Sequence, residues 1–243
     1  MNKTKDNPIL EGILIAMISI FMIIGLKSMP LLNFIICFIP VPMAVLAIRR
    51  GRIFAILSLG VTGAVVGVMD IYLGIFISIL YAAIIFSVPY TIGRRINFPE
   101  GIVINSSASF IAIILSLKIL SFLVGEDIFT YTWEGIRRVF AADNEFITNL
   151  LEIYKKIGII DNKVTGIQLG ELVIDNLKLL TPSIIAIFSI LCGGGNYILT
   201  HMALKRYNID LKVIPKFELW KLPRGTTRGF FIIMILAYIG TLA

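Results

Sequence analysis

Long apolar runs separated by short polar segments make up most of this chain. Six runs of 17 to 26 residues and a seventh of 14 residues occur, at Ile9–Leu26, Leu31–Ile48, Ile53–Met69, Ile71–Ile92, Ile102–Val124, Leu179–Leu204 and Phe230–Ala243. A helix of about 20 apolar residues crosses a hydrocarbon core of about 30 Å. The pattern therefore predicts an all-α, polytopic transmembrane bundle with six full spans plus a partial seventh, in one integral-membrane domain over residues 1–243.

The seventh run is too short for a full span, because it would rise only about 21 Å as a helix. We expect that the C-terminus is truncated there. The alternative is a chain that ends on a partly inserted helix.

Basic residues occupy every second gap between the runs. Fourteen of the 22 lysine and arginine residues lie in these gaps, at positions 3 and 5, 49 to 52, 94 and 95, and in a basic loop over residues 205–228. The positive-inside rule places these gaps and the N-terminus in the cytoplasm and makes residues 125–170 an external loop. We therefore expect a multi-pass protein of the bacterial cytoplasmic membrane.

Composition changes the interpretation of the net charge. The chain is 58% hydrophobic and 15% charged, which excludes an ordinary soluble domain. Its net charge of +7 is then mostly an orientation signal with an affinity for anionic lipid headgroups. We expect the lipid bilayer as a partner, and no nucleic acid.

Proline and glycine mark irregular positions in three spans. Pro40 and Pro42 each remove a backbone donor from the second span, so Ile39–Met43 is predicted to be a packed kink or part of a cavity wall. Gly193–Gly195 in the sixth span indicates a tight helix crossing or a local break. The third span carries a glycine face for close helix packing, at Gly60, Gly63 and Gly67.

Three polar features inside the spans have a structural and a functional interpretation. The Asn105–Ser109 cluster either bonds across helices or lines a pathway. Lys118 either extends its side chain to the membrane surface or faces an external pocket. His201, the one histidine of the sequence, is expected to be a surface residue rather than a proton relay.

The external loop carries two predicted amphipathic helices, at Trp133–Phe140 and Glu145–Ile157. They lie on the outer leaflet or form a lid over an external cavity. The sixth span is predicted to begin near Glu171.

Motifs of known catalytic chemistry are missing from the sequence. There is no HExxH, Walker A lysine loop, GxSxG or EF-hand motif, and no clustered His/Cys ligands. We therefore expect no enzymatic activity, no cofactor and no metal site.

Two segments carry a resemblance to a known family. Gly195-Asn196-Tyr197 and the later segment Phe217–Pro223 resemble the YybS-like family of bacterial membrane proteins (the DUF2232 group). That family is in turn distantly similar to the S components of energy-coupling-factor transporters, which bind vitamins at an external pocket. The similarity implies a partner transmembrane coupling subunit with ATPases, docked at small residues of the first helix, here Gly12 and Ala16.

Our leading hypothesis from the sequence is an S-component-like, solute-binding subunit of an importer. The polar candidates for a small-solute pocket lie near the external helix ends, at Asp70, Tyr72, Lys118, Asp175 and Lys178. The alternative is a non-transporting membrane scaffold or assembly factor, with Phe217 and Trp220 as anchors for a partner or the bilayer. A third hypothesis is a proton-coupled carrier that uses His201 and the Asn105–Ser109 cluster.

Overall fold

The computed structural model describes residues 7–141, 145–159, 161 and 164–209. Within them lie a 3₁₀ helix, Pro30–Phe38, and eight α-helices, numbered in chain order: α1 Pro8–Lys27, α2 Val41–Arg49, α3 Arg52–Met69, α4 Ile71–Gly93, α5 Phe98–Val124, α6 Ile128–Ala141, α7 Glu145–Lys156 and α8 Gly166–Arg206. The predicted partial seventh span, most of the basic loop, Phe217 and Trp220 lie outside the described residues.

The described part of the chain is helical and contains no strand, which confirms the predicted all-α fold class. Six segments are long and apolar enough to cross a membrane, and each corresponds to one of the six predicted spans. The 3₁₀ helix and α2 together form the second of them, Leu32–Arg49.

The spans pack side by side in a chain of neighbours. α1 packs on α3, α3 on α4, α4 on α5 and α5 on α8, while α2 contacts α3, α4 and α8. Ion pairs join both ends of α1 to this arrangement. Glu11 accepts bonds from Arg49 and Arg50 at one end, which we name the basic end. At the other end, named the Asp70 end, Lys27 bonds Asp70 at 2.8 Å.

Gly63 and Gly67 of α3 allow the close helix approach that the sequence predicted, whereas Gly60 of the predicted glycine face is exposed and lies outside this contact. A Cβ on Gly74 of α4 would collide with the Gly67 backbone, and one on Gly63 would collide with Ser78. The two helices therefore pack with their backbones nearly in contact, as small residues permit in membrane helices.

The second span is interrupted rather than smoothly kinked. The 3₁₀ helix ends at Phe38, and α2 begins at Val41, with Pro40 as its N-cap residue. Ile39 and Met43 are buried. The structure thus favours the packed alternative for Ile39–Met43.

α8 is longer than a membrane is thick. Its 41 residues rise about 61 Å, so roughly half of its length extends beyond a hydrocarbon core of about 30 Å. It begins at Gly166, five residues before the predicted start, because Thr165 and Gln168 form a capping box. The projecting part packs on α6, where Phe140 lies directly against Gly170.

Candidate functional site

The interruption of the second span frees backbone carbonyl groups inside the bundle. Pro40 has no N–H, so it cannot bond the Ile36 carbonyl in α-helical register or the Cys37 carbonyl in 3₁₀ register. The Ile36 carbonyl keeps a 3₁₀ bond from Ile39 N at 3.3 Å, and the Tyr81 hydroxyl of α4 adds a second donor 2.6 Å from Ile36 O. A buried polar side chain thus supplements the backbone donor at this break in the span.

Asn196 of α8 supplies a side-chain donor to the other carbonyl, that of Cys37. Its Nδ2 donates to Cys37 O at 2.7 Å and to Cys192 O, one turn earlier in α8, at 2.6 Å. Asn196 is fully buried. The thiols of Cys37 and Cys192 contact each other beside this bond. The interrupted span is therefore tied to α8 by a bond from a side chain to a backbone carbonyl 159 positions away.

The glycine run brings α8 close to α5 at this level. A Cβ on Gly193 would collide with the backbone of Asn105, and one on Gly195 would lie 2.6 Å from the Phe38 ring. The helix passes through the run without a break. Of the two predicted meanings of Gly193–Gly195, the structure supports the tight crossing.

Asn105 links the crossing to a third helix. Its Nδ2 donates to Thr91 Oγ1 of α4 at 3.1 Å and to Gly101 O at 2.7 Å. The interhelical bond supports the first of the two interpretations given for the Asn105–Ser109 cluster.

Several polar oxygens at this crossing are buried without a hydrogen-bond partner in the described structure. They include the amide oxygens Asn105 Oδ1 and Asn196 Oδ1 and the hydroxyls of Ser106, Ser109 and Thr200. Asn196 and Thr200 are four residues apart and share one face of α8, as Asn105 and Ser109 do on α5. A buried acceptor without a partner costs about 1–3 kcal/mol, so this polar cluster is a place where a ligand or water would be favoured.

The polar residues predicted at the outer helix ends are spread over three helices, α4 with its N-cap residue, α5 and α8. Asp70 caps α4 through a bond from Leu73 N and pairs with Lys27, and these bonds hold the pKa of its carboxyl below the usual value. Tyr72 is about half exposed. Asp70 thus has a structural role that the prediction did not foresee.

The other three candidates lie on two further helices. Asp175 and Lys178 pair with each other at 3.4 Å on the exposed face of α8. Lys118 is exposed on α5 and makes no ion pair with a described residue. Its six-residue distance from Val124 lets the side chain reach the membrane surface, which favours that alternative.

The predicted docking residues of α1 are inside the bundle. Gly12 is buried next to the Phe54 carbonyl of α3, and Ala16 is fully buried. The expectation that these two residues present a surface to a partner subunit needs correction, because α3 already covers them.

His201 also differs from expectation. It is 6% exposed and lies edge-on to Phe98 and Tyr197, between α8 and the start of α5. The prediction of a surface histidine is wrong, because the wide contact between α5 and α8 continues to the basic end.

Within the described residues, no three His, Cys, Asp or Glu side chains gather as metal ligands. The residues that sequence reasoning missed are Tyr81 and Thr200. Pro40 indicated a position for a donor such as Tyr81, because a carbonyl that loses its α-helical N–H donor can accept a bond from a neighbouring helix.

An α-helical bundle of six candidate spans, with its polar groups turned inward at an interrupted helix, defines a multi-pass integral membrane protein. The comparison with protein families makes this more specific. A family model described as "Predicted membrane protein (DUF2232)" matches residues 16–242, so the chain belongs to the DUF2232 family. No curated protein and no solved structure matches the chain.

Proposed function

We propose that the protein is an S-component-like subunit that binds a small polar solute for a multi-subunit importer. It acts in the bacterial cytoplasmic membrane with its basic end and N-terminus in the cytoplasm, since basic residues remain on that side. The role is binding rather than catalysis. A transmembrane coupling subunit with ATPases supplies the energy.

One observation carries the proposal: a proline-interrupted span meets α8 at amide and hydroxyl oxygens that have no hydrogen-bond partner among the described residues. In membrane transporters, interrupted helices near the bilayer midplane form solute and ion sites, because their freed backbone groups and nearby polar side chains can bind a ligand. Asn196 lies ten residues before Arg206, about 15 Å of helical rise from the basic end and thus near the midplane.

The buried position of the cluster determines how a solute would reach it. Asn196 and Thr200 are both fully buried. A solute therefore enters when the second span and α8 move apart, which breaks the Asn196–Cys37 bond. The bond from Asn196 Nδ2 to Cys37 O would re-form when the solute leaves Asn196 Oδ1.

The helices at the Asp70 end suit the predicted lid. α6 is held to α5 by a bond from Ile128 N to Ser121 Oγ, and to α8 by the Arg137–Glu171 ion pair at 2.7 Å. This ion pair raises the pKa of Arg137. In the proposed orientation, α6 lies against α5 and α8 at the external end of the bundle, next to the solute pathway.

The coupling subunit docks elsewhere than on Gly12 and Ala16. The outward face of α1 is exposed and apolar at Met17 and Phe21, which are 61% and 80% exposed. That face is open to lipid or to a neighbouring helix. We therefore assign the docking role to this face of α1.

A thermal-shift screen of purified full-length protein with vitamins and nucleosides tests the proposal. Thr200→Val is the informative variant, because the Thr200 hydroxyl has no partner and its loss breaks no described hydrogen bond. We expect stability without solute that equals or exceeds that of the wild type, because an unpaired buried hydroxyl is removed, and a reduced solute-induced shift. Thr62→Val, at a buried threonine of α3 outside the polar cluster, is the matched control and should give the same solute-induced shift as the wild type. The absence of a shift with every compound would count against the proposal.

A second candidate function, that of a non-transporting scaffold, is favoured by the exposed surface of α6 at the Asp70 end. Tyr131 and Val139 of α6 are both about half exposed and available to a partner. A mild-detergent pull-down of the tagged protein from its host separates the two functions. Recovery of a coupling subunit with ATPases supports the importer, whereas cell-envelope proteins without an ATPase support the scaffold. On the scaffold model, alanine at Phe217 and Trp220 abolishes function without changing solute uptake.

A further inference from the structure

An open groove lies between the second span and α8 toward the basic end. Its volume is about 440 Å³, within the range of about 300–1,000 Å³ typical of ligand sites. The lining is mostly apolar and ends in two polar residues: Phe38, Val41, Leu199, Met202, Ala203, Arg206 and Tyr207. Unlike the polar cluster, this groove is open to the surroundings of the described part of the bundle.

Polarity changes along the groove in one direction. Leu199 lies seven residues before Arg206 in α8, so the apolar part is about 10 Å deep measured from the guanidinium end. This depth is within one leaflet of a bilayer whose core is about 30 Å thick. The groove therefore has the polarity of a lipid: apolar toward the membrane centre and cationic at the surface.

The positive charge of Arg206, at the basic end of the groove, is available to a ligand in the described structure. Arg206 is exposed and makes no hydrogen bond or ion pair with another described residue. Arg49 beside it is engaged, since it bonds Glu11 at 2.8 Å and lies 4.0 Å from the centre of the Tyr207 ring. Lys205 adds a second exposed positive charge next to Arg206.

We propose that this groove binds an anionic phospholipid, with one acyl chain along Leu199 and Met202 and the phosphate on Arg206. Basic pockets between membrane helices bind anionic headgroups because the charge adds to the burial of the chain. Arginine suits the phosphate because its planar guanidinium presents paired donors. The bound lipid fills the space between the interrupted span and α8.

Native mass spectrometry of the full-length protein tests this site with phosphatidylglycerol and phosphatidylcholine of identical acyl chains. We expect retention of phosphatidylglycerol in preference to phosphatidylcholine. Arg206→Gln should weaken phosphatidylglycerol binding about fivefold, which corresponds to about 1 kcal/mol for one basic residue at an anionic surface. Ala203→Phe should block binding by filling the groove. Glycerol phosphate without acyl chains should not compete.

Arg52→Gln is the matched control, because Arg52 is an exposed arginine at the same end that does not line the groove. Equal weakening by Arg52→Gln would show a diffuse attraction and overturn the site. Equal retention of both lipids, or binding unaffected by Ala203→Phe, would also overturn it. Absence of any retained phosphatidylglycerol would overturn it as well. Each variant's melting temperature in phosphatidylcholine verifies that it folds.

Discussion

Replacement of Gly193 by alanine tests the crossing of α5 and α8 that positions the polar cluster. The new Cβ would overlap the Asn105 carbonyl and lie 2.6 Å from Ser106 Cα. These are backbone atoms of a packed helix, so they cannot move aside as a flexible side chain would. The two helices must therefore separate at this level.

The magnitude follows from two opposing terms. Overpacking costs about 1–3 kcal/mol, and a clash with backbone belongs at the upper end of that range. Alanine in place of glycine recovers about 1 kcal/mol of helix propensity. We therefore expect Gly193→Ala to destabilise the protein by about 2 kcal/mol.

Gly60→Ala provides the control for this substitution. Gly60 lies in α3, where an added Cβ meets no atom within 4 Å, so only the propensity gain remains. Unfolding of the purified full-length proteins in mild detergent, followed by tryptophan fluorescence at one heating rate, compares the two variants. Equal stability of Gly193→Ala and Gly60→Ala would refute the tight crossing.

Three further substitutions have defined outcomes. Tyr81→Phe removes the donor to Ile36 O and should lower stability by about 0.6–1.7 kcal/mol, the range for hydrogen bonds between membrane helices; an unchanged melting temperature would contradict this. The folded-state pKa of Asp70 is lowered, so its contribution is present above the ordinary carboxyl pKa of about 4 and is lost as pH falls through the folded value. Asp70→Asn should therefore remove a small part of the acid destabilisation below about pH 4, small because the pair with Lys27 is largely solvated; a pH–stability curve identical to the wild type would be the contrary result. Lys118→Leu should leave stability and solute binding unchanged, because Lys118 is exposed on α5; loss of solute binding in the same thermal-shift assay would place Lys118 in a pocket.

The spans were predictable because membrane insertion is dictated by local composition. A run such as Ile71–Ile92 has few alternatives to a helix, since lipid cannot satisfy its backbone groups. The interruption at Pro40 was predictable for the same reason, because a missing N–H is a property of the residue itself. The start of α8 was also encoded locally, in the Thr165–Gln168 capping box.

The partners of the interruption were not predictable, because they depend on tertiary packing. The Tyr81 bond to Ile36 joins residues 45 positions apart, and the Asn196 bond to Cys37 joins residues 159 apart. No local pattern selects one polar side chain among several in neighbouring spans. The prediction of a surface His201 was wrong for a related reason, because the exposure of its side chain depends on how far along their length α5 and α8 remain in contact.

The sequence predicted the candidate solute site at the outer helix ends, whereas the structure favours the polar cluster in the bundle interior. Sequence reasoning favoured charged residues such as Asp70 and Lys178, but ion pairs with neighbours satisfy both of them. The groups left without a described partner are neutral, at Asn196 and Thr200. Charged residues lie mostly at the water-exposed surface, so charge alone does not indicate a solute site. A buried oxygen without a hydrogen-bond partner indicates a position where a bound group can supply that partner.

The most direct test of the proposed function is a structure of the full-length protein, by electron cryomicroscopy, with the compound that gives the largest thermal shift. The proposal predicts a polar atom of the compound about 2.7–3.2 Å from Asn196 Oδ1 or Thr200 Oγ1, with the second span displaced from α8. Density for the compound beside Lys118, Asp175 and Lys178, with the Asn196–Cys37 bond intact, would contradict it.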